Sequence, residues 1–135
     1  MTVRNLEALF QPRSVALIGA SPRPGSLGQV VARNLLRGGF QGAIYFVNPS
    51  ADEVEDQRCY PDIASLPEAP DLAVIATPPD AVPDLITELG ARGTRGAVVI
   101  TAGFGEGGDA QGMARRQAML DAAQPNLLRI IGPNC

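Results

Sequence analysis

Gly19, Gly25 and Gly28 punctuate the run GASPRPGSLG, in which Ser21 and Ser26 carry hydroxyls and Arg23 a guanidinium. Glycines let a backbone turn tightly and come close to a ligand. If a helix starts where the run ends, its unpaired N–H groups and positive partial charge suit a diphosphate. The competing reading is a plain strand-to-helix loop that needs glycine only for packing. The spacing also departs from G-x-G-x-x-G and the loop is longer, so it is off-pattern as a dinucleotide fingerprint.

Three further runs could line a ligand. Val47-Asn48-Pro49-Ser50 has no acid at its tip, where NAD-binding folds usually place one for the ribose hydroxyls; Asp52 and Glu53 lie a few residues beyond. Thr77-Pro78-Pro79 fixes the chain and removes N–H donors, giving a stiff, apolar edge for an adenine or a pantetheine arm, or simply a rigid start to a helix. Thr101-Ala102-Gly103-Phe104-Gly105-Glu106 reads as a loop pressed against a ligand, or as a mobile surface loop. Glu106 is its lone carboxylate, better suited to solvent than to catalysis.

Other chemistry is excluded by what is missing. The chain has no histidine, and all 11 of its basic residues are arginine. Phosphate contacts must therefore come from arginine or the backbone, and no lysine can serve as a Schiff base or general base. Cys59 and Cys135 are too few for a disulfide framework or a zinc site, so no metal site is expected and a reducing cytoplasm is the default compartment. A net charge of −3 argues against a nucleic-acid or anionic-membrane surface. No secretory leader is visible, and no apolar run reaches the roughly 18 residues of a membrane span.

Positioning such loops requires a scaffold, and 135 residues suffice for a single domain with a real core. With aromatics at only 4 %, that core must rest on Val, Ile, Leu and Ala, the palette of a parallel sheet buried on both faces. Five β-type runs stand out: Ser14–Gly19, Ala43–Asn48, Asp71–Thr77, Gly96–Thr101 and Leu127–Ile131. Helical patterns fall between them. Leu27–Arg37 places Leu27, Val30, Val31 and Leu35 on one face. A second helix opens near Pro79 and Asp80 and buries Val82, Leu85, Ile86 and Leu89, and a third runs from about Asp109 to Ala123. The polar stretch 51–70 reads as turns with a short helix at Ile63–Leu66. Residues through Phe10 suit a short helix covering a sheet edge with Leu6, Leu9 and Phe10. This alternation predicts an α/β, Rossmann-like, doubly wound and mostly parallel five-stranded sheet, with ligands at the carboxyl ends of the strands.

With those strand ends in place, the sequence resembles the coenzyme A-binding domain of NDP-forming acyl-CoA synthetases, the family that includes ADP-forming acetyl-CoA synthetase. The marks are LFQPRSVALIGASPRPGSLG, VNPSADEV, CYPDIASLPEAPDLAVIATPP, ITAGFGE and the terminal IIGPNC, in that order and across essentially the whole chain. The succinyl-CoA synthetase α-subunit is related, but has a glutamate where this chain has Ala102.

The resemblance implies coenzyme A or acetyl-CoA as the ligand. Ser21, Gly25, Ser26, Leu27 and Gly28, with Gly19, would hold its phosphate and adenosine portion. Asn48 and Pro49 would border it, and Thr77, Pro78 and Pro79 would line the next stretch. Ile100, Thr101, Ala102 and Gly103 would guide the pantetheine arm, with Asn134 near the thiol. Many relatives carry a basic residue after Asn-Pro; here it is Ser50, and Arg23 is the candidate substitute. The family forms acyl-CoA through a phosphorylated histidine on a later domain, so no catalytic residue is expected in 1–135, which reads as an N-terminal fragment of a larger protein. Its expected partners are CoA or acyl-CoA and the remaining domains of that protein; a homo-oligomer is compatible. Two other readings stand beside the ligase: a regulatory CoA- or nucleotide-binding domain fused to a GNAT-type protein acetyltransferase, and an NAD-binding sensor or dehydrogenase domain.

Overall fold

The computed structural model describes residues 5–135. Its strands are β1 (Ser14–Ile18), β2 (Ala43–Val47), β3 (Glu53–Val54), β4 (Gln57–Tyr60), β5 (Leu72–Ile75), β6 (Gly96–Val99) and β7 (Arg129–Ile131). The helices are α1 (Leu6–Phe10), α2 (Leu27–Arg37), α3 (Val82–Arg92) and α4 (Ala110–Ala123). All seven strands join one sheet in the order β3-β4-β2-β1-β5-β6-β7, and only the β3–β4 pair is antiparallel. The chain forms a Rossmann-like α/β domain.

β1 is buried at every position because it lies mid-sheet with helices over both faces. On one face Ala16, Ile18, Ala73, Ile75, Ala97 and Val99 meet Val82, Ile86 and Leu89 of α3 and Met119 of α4. On the other, Val15, Leu17, Phe46 and Val74 meet Ala32, with Val31 and Leu35 of α2 and Leu9 of α1 packed alongside. The strand order reverses direction at β1 and β5. In register, Ile18 pairs with Val47 on one side and Ile75 on the other, so the chain leaves all three strands at the same level. That level is the topological switch point, where open α/β sheets bind ligands.

Several expectations are corrected. The sheet has seven strands rather than five, because the polar stretch hides a hairpin. Glu55 (φ 49°) and Asp56 (φ 62°) turn it in the left-handed region, while Val54 and Cys59 bury their side chains. Glu55 is also tied to α2 by a 2.7 Å ion pair with Arg33. Ile63–Leu66 is a turn rather than a helix, closed by Leu66 N–H to the Ile63 carbonyl. On α2 the buried positions are Gly28 and Ala32; Leu27 and Val30 face outward, 48 % and 46 % exposed. α1 lies against β6, an interior strand, with Ala8 and Leu9 near Gly96, and Phe10 points outward. Leu127 adopts φ 54°, ends a 3₁₀ turn over Gln124–Asn126 and stays outside β7. Pro79–Ala81 forms another 3₁₀ turn ahead of α3, and Leu85 is only partly buried.

Candidate functional site

The first loop is built by close backbone contact. Gly19 sits at φ 101°, and a Cβ there would lie 2.8 Å from the Ala76 carbonyl carbon. A Cβ on Gly28 would lie 2.1 Å from the Gly19 carbonyl oxygen. The start of α2 thus rests directly on the end of β1, and glycine at 28 is demanded by the fold itself. Ser26 is the N-cap: its Oγ accepts from Gln29 N–H at 3.2 Å and donates to the Arg23 carbonyl at 2.8 Å. Gly25 N–H donates to Gln29 Oε1 and Arg23 N–H to Ser21 Oγ. Both serines therefore shape the loop. The N–H groups of Leu27 and Gly28 precede the first helical bond, from Val30 N–H to the Ser26 carbonyl, and head the helix dipole. The Arg23 side chain is exposed and bonds to no other described residue.

Asn48 ties the second loop to the first. Its Nδ2 donates to the Ala20 carbonyl at 2.7 Å, and its Oδ1 accepts from Ser50 N–H at 2.7 Å and Ala51 N–H at 3.1 Å. Beside it opens a cleft of about 510 Å³ whose walls include Gly19, Asn48, Pro49, Thr77 and Pro78. Ile18, Val47, Ile63 and Leu85 complete a mainly apolar surface, with Asp62 and Glu88 also on the lining. Asp62 accepts from the Ser65 hydroxyl and backbone N–H, and these bonds hold its carboxyl below the usual range.

The loops after β5 and β6 are joined as well. Thr101 Oγ1 donates to the Thr77 carbonyl at 2.7 Å, and Asn134 N–H donates to the Thr101 carbonyl at 3.0 Å. Ile100 packs on the α2 face of the sheet, and Ala102 is exposed. Glu106 is not simply solvated: its carboxylate accepts from Gly103 and Phe104 N–H at 3.1 Å. A bond from its own backbone N–H, then those from Phe104 and Gly103, lower its pKa against an opposing desolvation. Arg115 of α4 donates from Nη1 to the Gly103 carbonyl at 3.1 Å and pairs through Nε with Asp80 at 2.5 Å.

Gly19, Asn48, Pro49, Thr77 and Pro78 thus share one cleft, whereas Ser21, Arg23, Gly25, Ser26, Leu27 and Gly28 form the adjoining loop. Thr101, Ala102, Gly103 and Asn134 lie across the β6 end, with Pro79 close to Gly103. Sequence reasoning missed the Ile63 and Leu85 walls and the Asp80–Arg115 pair. Ile63 stands out as an apolar residue in a polar stretch and Leu85 as part of the apolar face of α3, but neither pattern points to a cleft; Arg115, midway along a helix, gives no signal. Among the described residues no His, Cys, Asp and Glu cluster could hold a metal, and no helix is long and apolar enough to cross a membrane. Burial pushes the Cys59 thiol up, which suits a core residue rather than a nucleophile.

Comparison with known proteins places this geometry. The family model described as a CoA binding domain matches residues 13–135. The ADP-forming acetate–CoA ligase II of Archaeoglobus fulgidus is 41 % identical over 133 residues, covering 98 % of this chain and 20 % of that protein. A trans-feruloyl-CoA synthase from an unknown prokaryotic organism is 40 % identical over 132 residues, covering 98 % of this chain and 18 % of its own length. The dinucleotide-forming acetyl-coenzyme A synthetase 1 of Ca. Korarchaeum cryptofilum, solved with phosphate and ADP, superposes with a TM-score of 0.88. It is 40 % identical, over 96 % of this chain and 27 % of that one. The chain thus spans about a fifth of the length of these curated relatives.

Proposed function

The chain belongs to the CoA-binding domain family, and from that premise we propose that it holds coenzyme A for an ADP-forming acyl-CoA ligase. The observation that carries this reading is the convergence, at the switch point, of the α2 amino end with the apolar cleft between Asn48-Pro49 and Thr77-Pro78. The N–H groups of Leu27 and Gly28 would take the diphosphate, with Arg23 on the 3′-phosphate. The apolar cleft has the walls and size for the adenine ring, and Thr101, Ala102 and Gly103 would guide the pantetheine toward Asn134. The residues present therefore fit the coenzyme.

NAD fits less well. The residue that follows β2 is Asn48, whose amide is committed to Ala20, Ser50 and Ala51, so no carboxylate stands at the ribose position. The near-equal identity to ligases named for acetate and for ferulate supports a shared coenzyme site over a shared acid site. Selection of the acyl group then falls to other parts of the ligase, as does the phosphoryl carrier, since this chain has no histidine. Once bound, the coenzyme supplies the thiol that accepts the acyl group; these residues bind and orient it. Calorimetric titration tests the reading: CoA should bind more tightly than NAD, and NAD binding as tight or tighter would overturn it.

A further inference from the structure

The turn after β5, which walls the proposed adenine cleft, and the loop after β6, proposed to guide the pantetheine, come from different strands, yet one side chain of α4 grips both. Arg115 Nε meets Asp80 Oδ1 at 2.5 Å in the turn after β5, while its Nη1 reaches the Gly103 carbonyl at 3.1 Å in the loop after β6. The loops already touch, since a Cβ on Gly103 would lie 3.0 Å from Pro79 Cγ. Glu106 holds the opposite side of the same segment by accepting from Gly103 and Phe104 N–H. The Arg115 side chain is 22 % exposed and that of Asp80 77 %, so the guanidinium is sheltered while its partner stands at the surface. A planar guanidinium serves two acceptors at a fixed separation, which an ammonium or an amide does not reproduce.

We infer that Arg115 is a positioning residue for the coenzyme's pantetheine arm, fixing the loop after β6 against the turn after β5. This rests on the CoA reading above and adds to it a residue outside the ligand-lining runs. Pantetheine is flexible, and binding it to loops that must first be ordered carries an added entropic cost. The nucleotide end rests on the first loop and on the Thr77-Pro78 wall, which is anchored without Arg115 by the Ala76 N–H on the Ile18 carbonyl and the Thr101 hydroxyl on the Thr77 carbonyl.

The test compares two ligands on the full chain by calorimetry: CoA, and adenosine bisphosphate, which lacks the pantetheine arm. Arg115→Gln should weaken CoA about tenfold and leave adenosine bisphosphate within about twofold. Asp80→Asn, at an exposed position that spares the fold, should show a smaller loss with the same discrimination. The double variant should be no weaker than Arg115→Gln alone, because both substitutions break one clamp. Equal losses for both ligands would reduce Arg115 to general stability and overturn the inference, as would unchanged CoA affinity in both single variants. Tight CoA binding by the parent chain separates that failure from failure of the CoA reading, in which the unaltered chain would bind neither ligand and both ideas would fall.

Discussion

The Asn48 side-chain amide donates to the Ala20 carbonyl at 2.7 Å, making the loop after β2 a brace for the loop after β1. Its oxygen at the same time accepts the Ser50 and Ala51 N–H groups. One side chain therefore sets the separation between the proposed diphosphate loop and the wall of the adenine cleft. Asn48→Ala should cost about 1 kcal/mol of stability through these lost bonds and also weaken CoA. Denaturant unfolding together with CoA titration checks it, and a variant unchanged in both would show that the brace is idle.

Gly28 illustrates the difference between a glycine needed by a ligand and one needed by the chain. Its sequence context suggests close approach of a phosphate; the structure puts the Gly19 carbonyl 2.1 Å from where a Cβ would stand. Gly28→Ala should therefore destabilise the domain by about 1–3 kcal/mol through overpacking, before any ligand is added. An unchanged melting temperature without CoA would refute the contact.

How far the sequence discloses this site depends on whether the determining interaction is local. The buried run Ser14–Ile18 and the Gly, Asn, Thr and Pro residues after the strands are visible because strand burial and chain reversal each need particular residue types nearby. The β3–β4 hairpin escapes notice because Glu55-Asp56 turns it without the Asn-Gly or Asp-Gly pair that usually marks such a turn. On α2 the apolar periodicity points to Leu27 and Val30, yet the helix approaches the sheet through Gly28 and Ala32, whose small size permits a close backbone. Arg115 is illegible for a third reason. Its partners, Asp80 and Gly103, are brought to it only by the finished fold.

Tyr45 gives the domain an alkaline signature. Its hydroxyl donates to Glu68, and that bond, followed by burial and the Glu68 charge, pushes the phenol up to about 12. A folded pKa above the ordinary value of about 10 means the stabilisation is fully present below pH 10 and is lost as pH rises from there through about 12. Ultraviolet titration of the two tyrosines should show a late phase that Tyr45→Phe removes. Stability should also fall less steeply over that window in the variant than in the parent. A late phase that survives Tyr45→Phe would assign it elsewhere.

Arg23 carries the sharpest prediction about the ligand. Ser50 follows Asn48-Pro49 where a basic residue would be natural for an anionic coenzyme, and the chain contains no lysine to substitute. Arg33, the next arginine along the chain, lies midway along α2 and is held by Glu55 at 2.7 Å, so its charge is already paired. Arg23 is exposed at the tip of the loop, with its backbone fixed by Ser21 and Ser26 and its guanidinium bonded to no described residue. A fixed backbone beneath a free side chain suits a group that closes on a phosphate only when the ligand arrives. Because the contact lies at the surface, solvent screening limits its worth, and Arg23→Ala should weaken CoA about three- to tenfold. Dephospho-CoA, which keeps the diphosphate and pantetheine but lacks the 3′-phosphate, should bind parent and variant alike. Raising the salt concentration should narrow the gap between parent and variant for CoA, since an exposed ion pair is screened. If Arg23→Ala weakens both ligands equally, the guanidinium serves the diphosphate instead; if it weakens neither, the 3′-phosphate is held by backbone N–H groups alone.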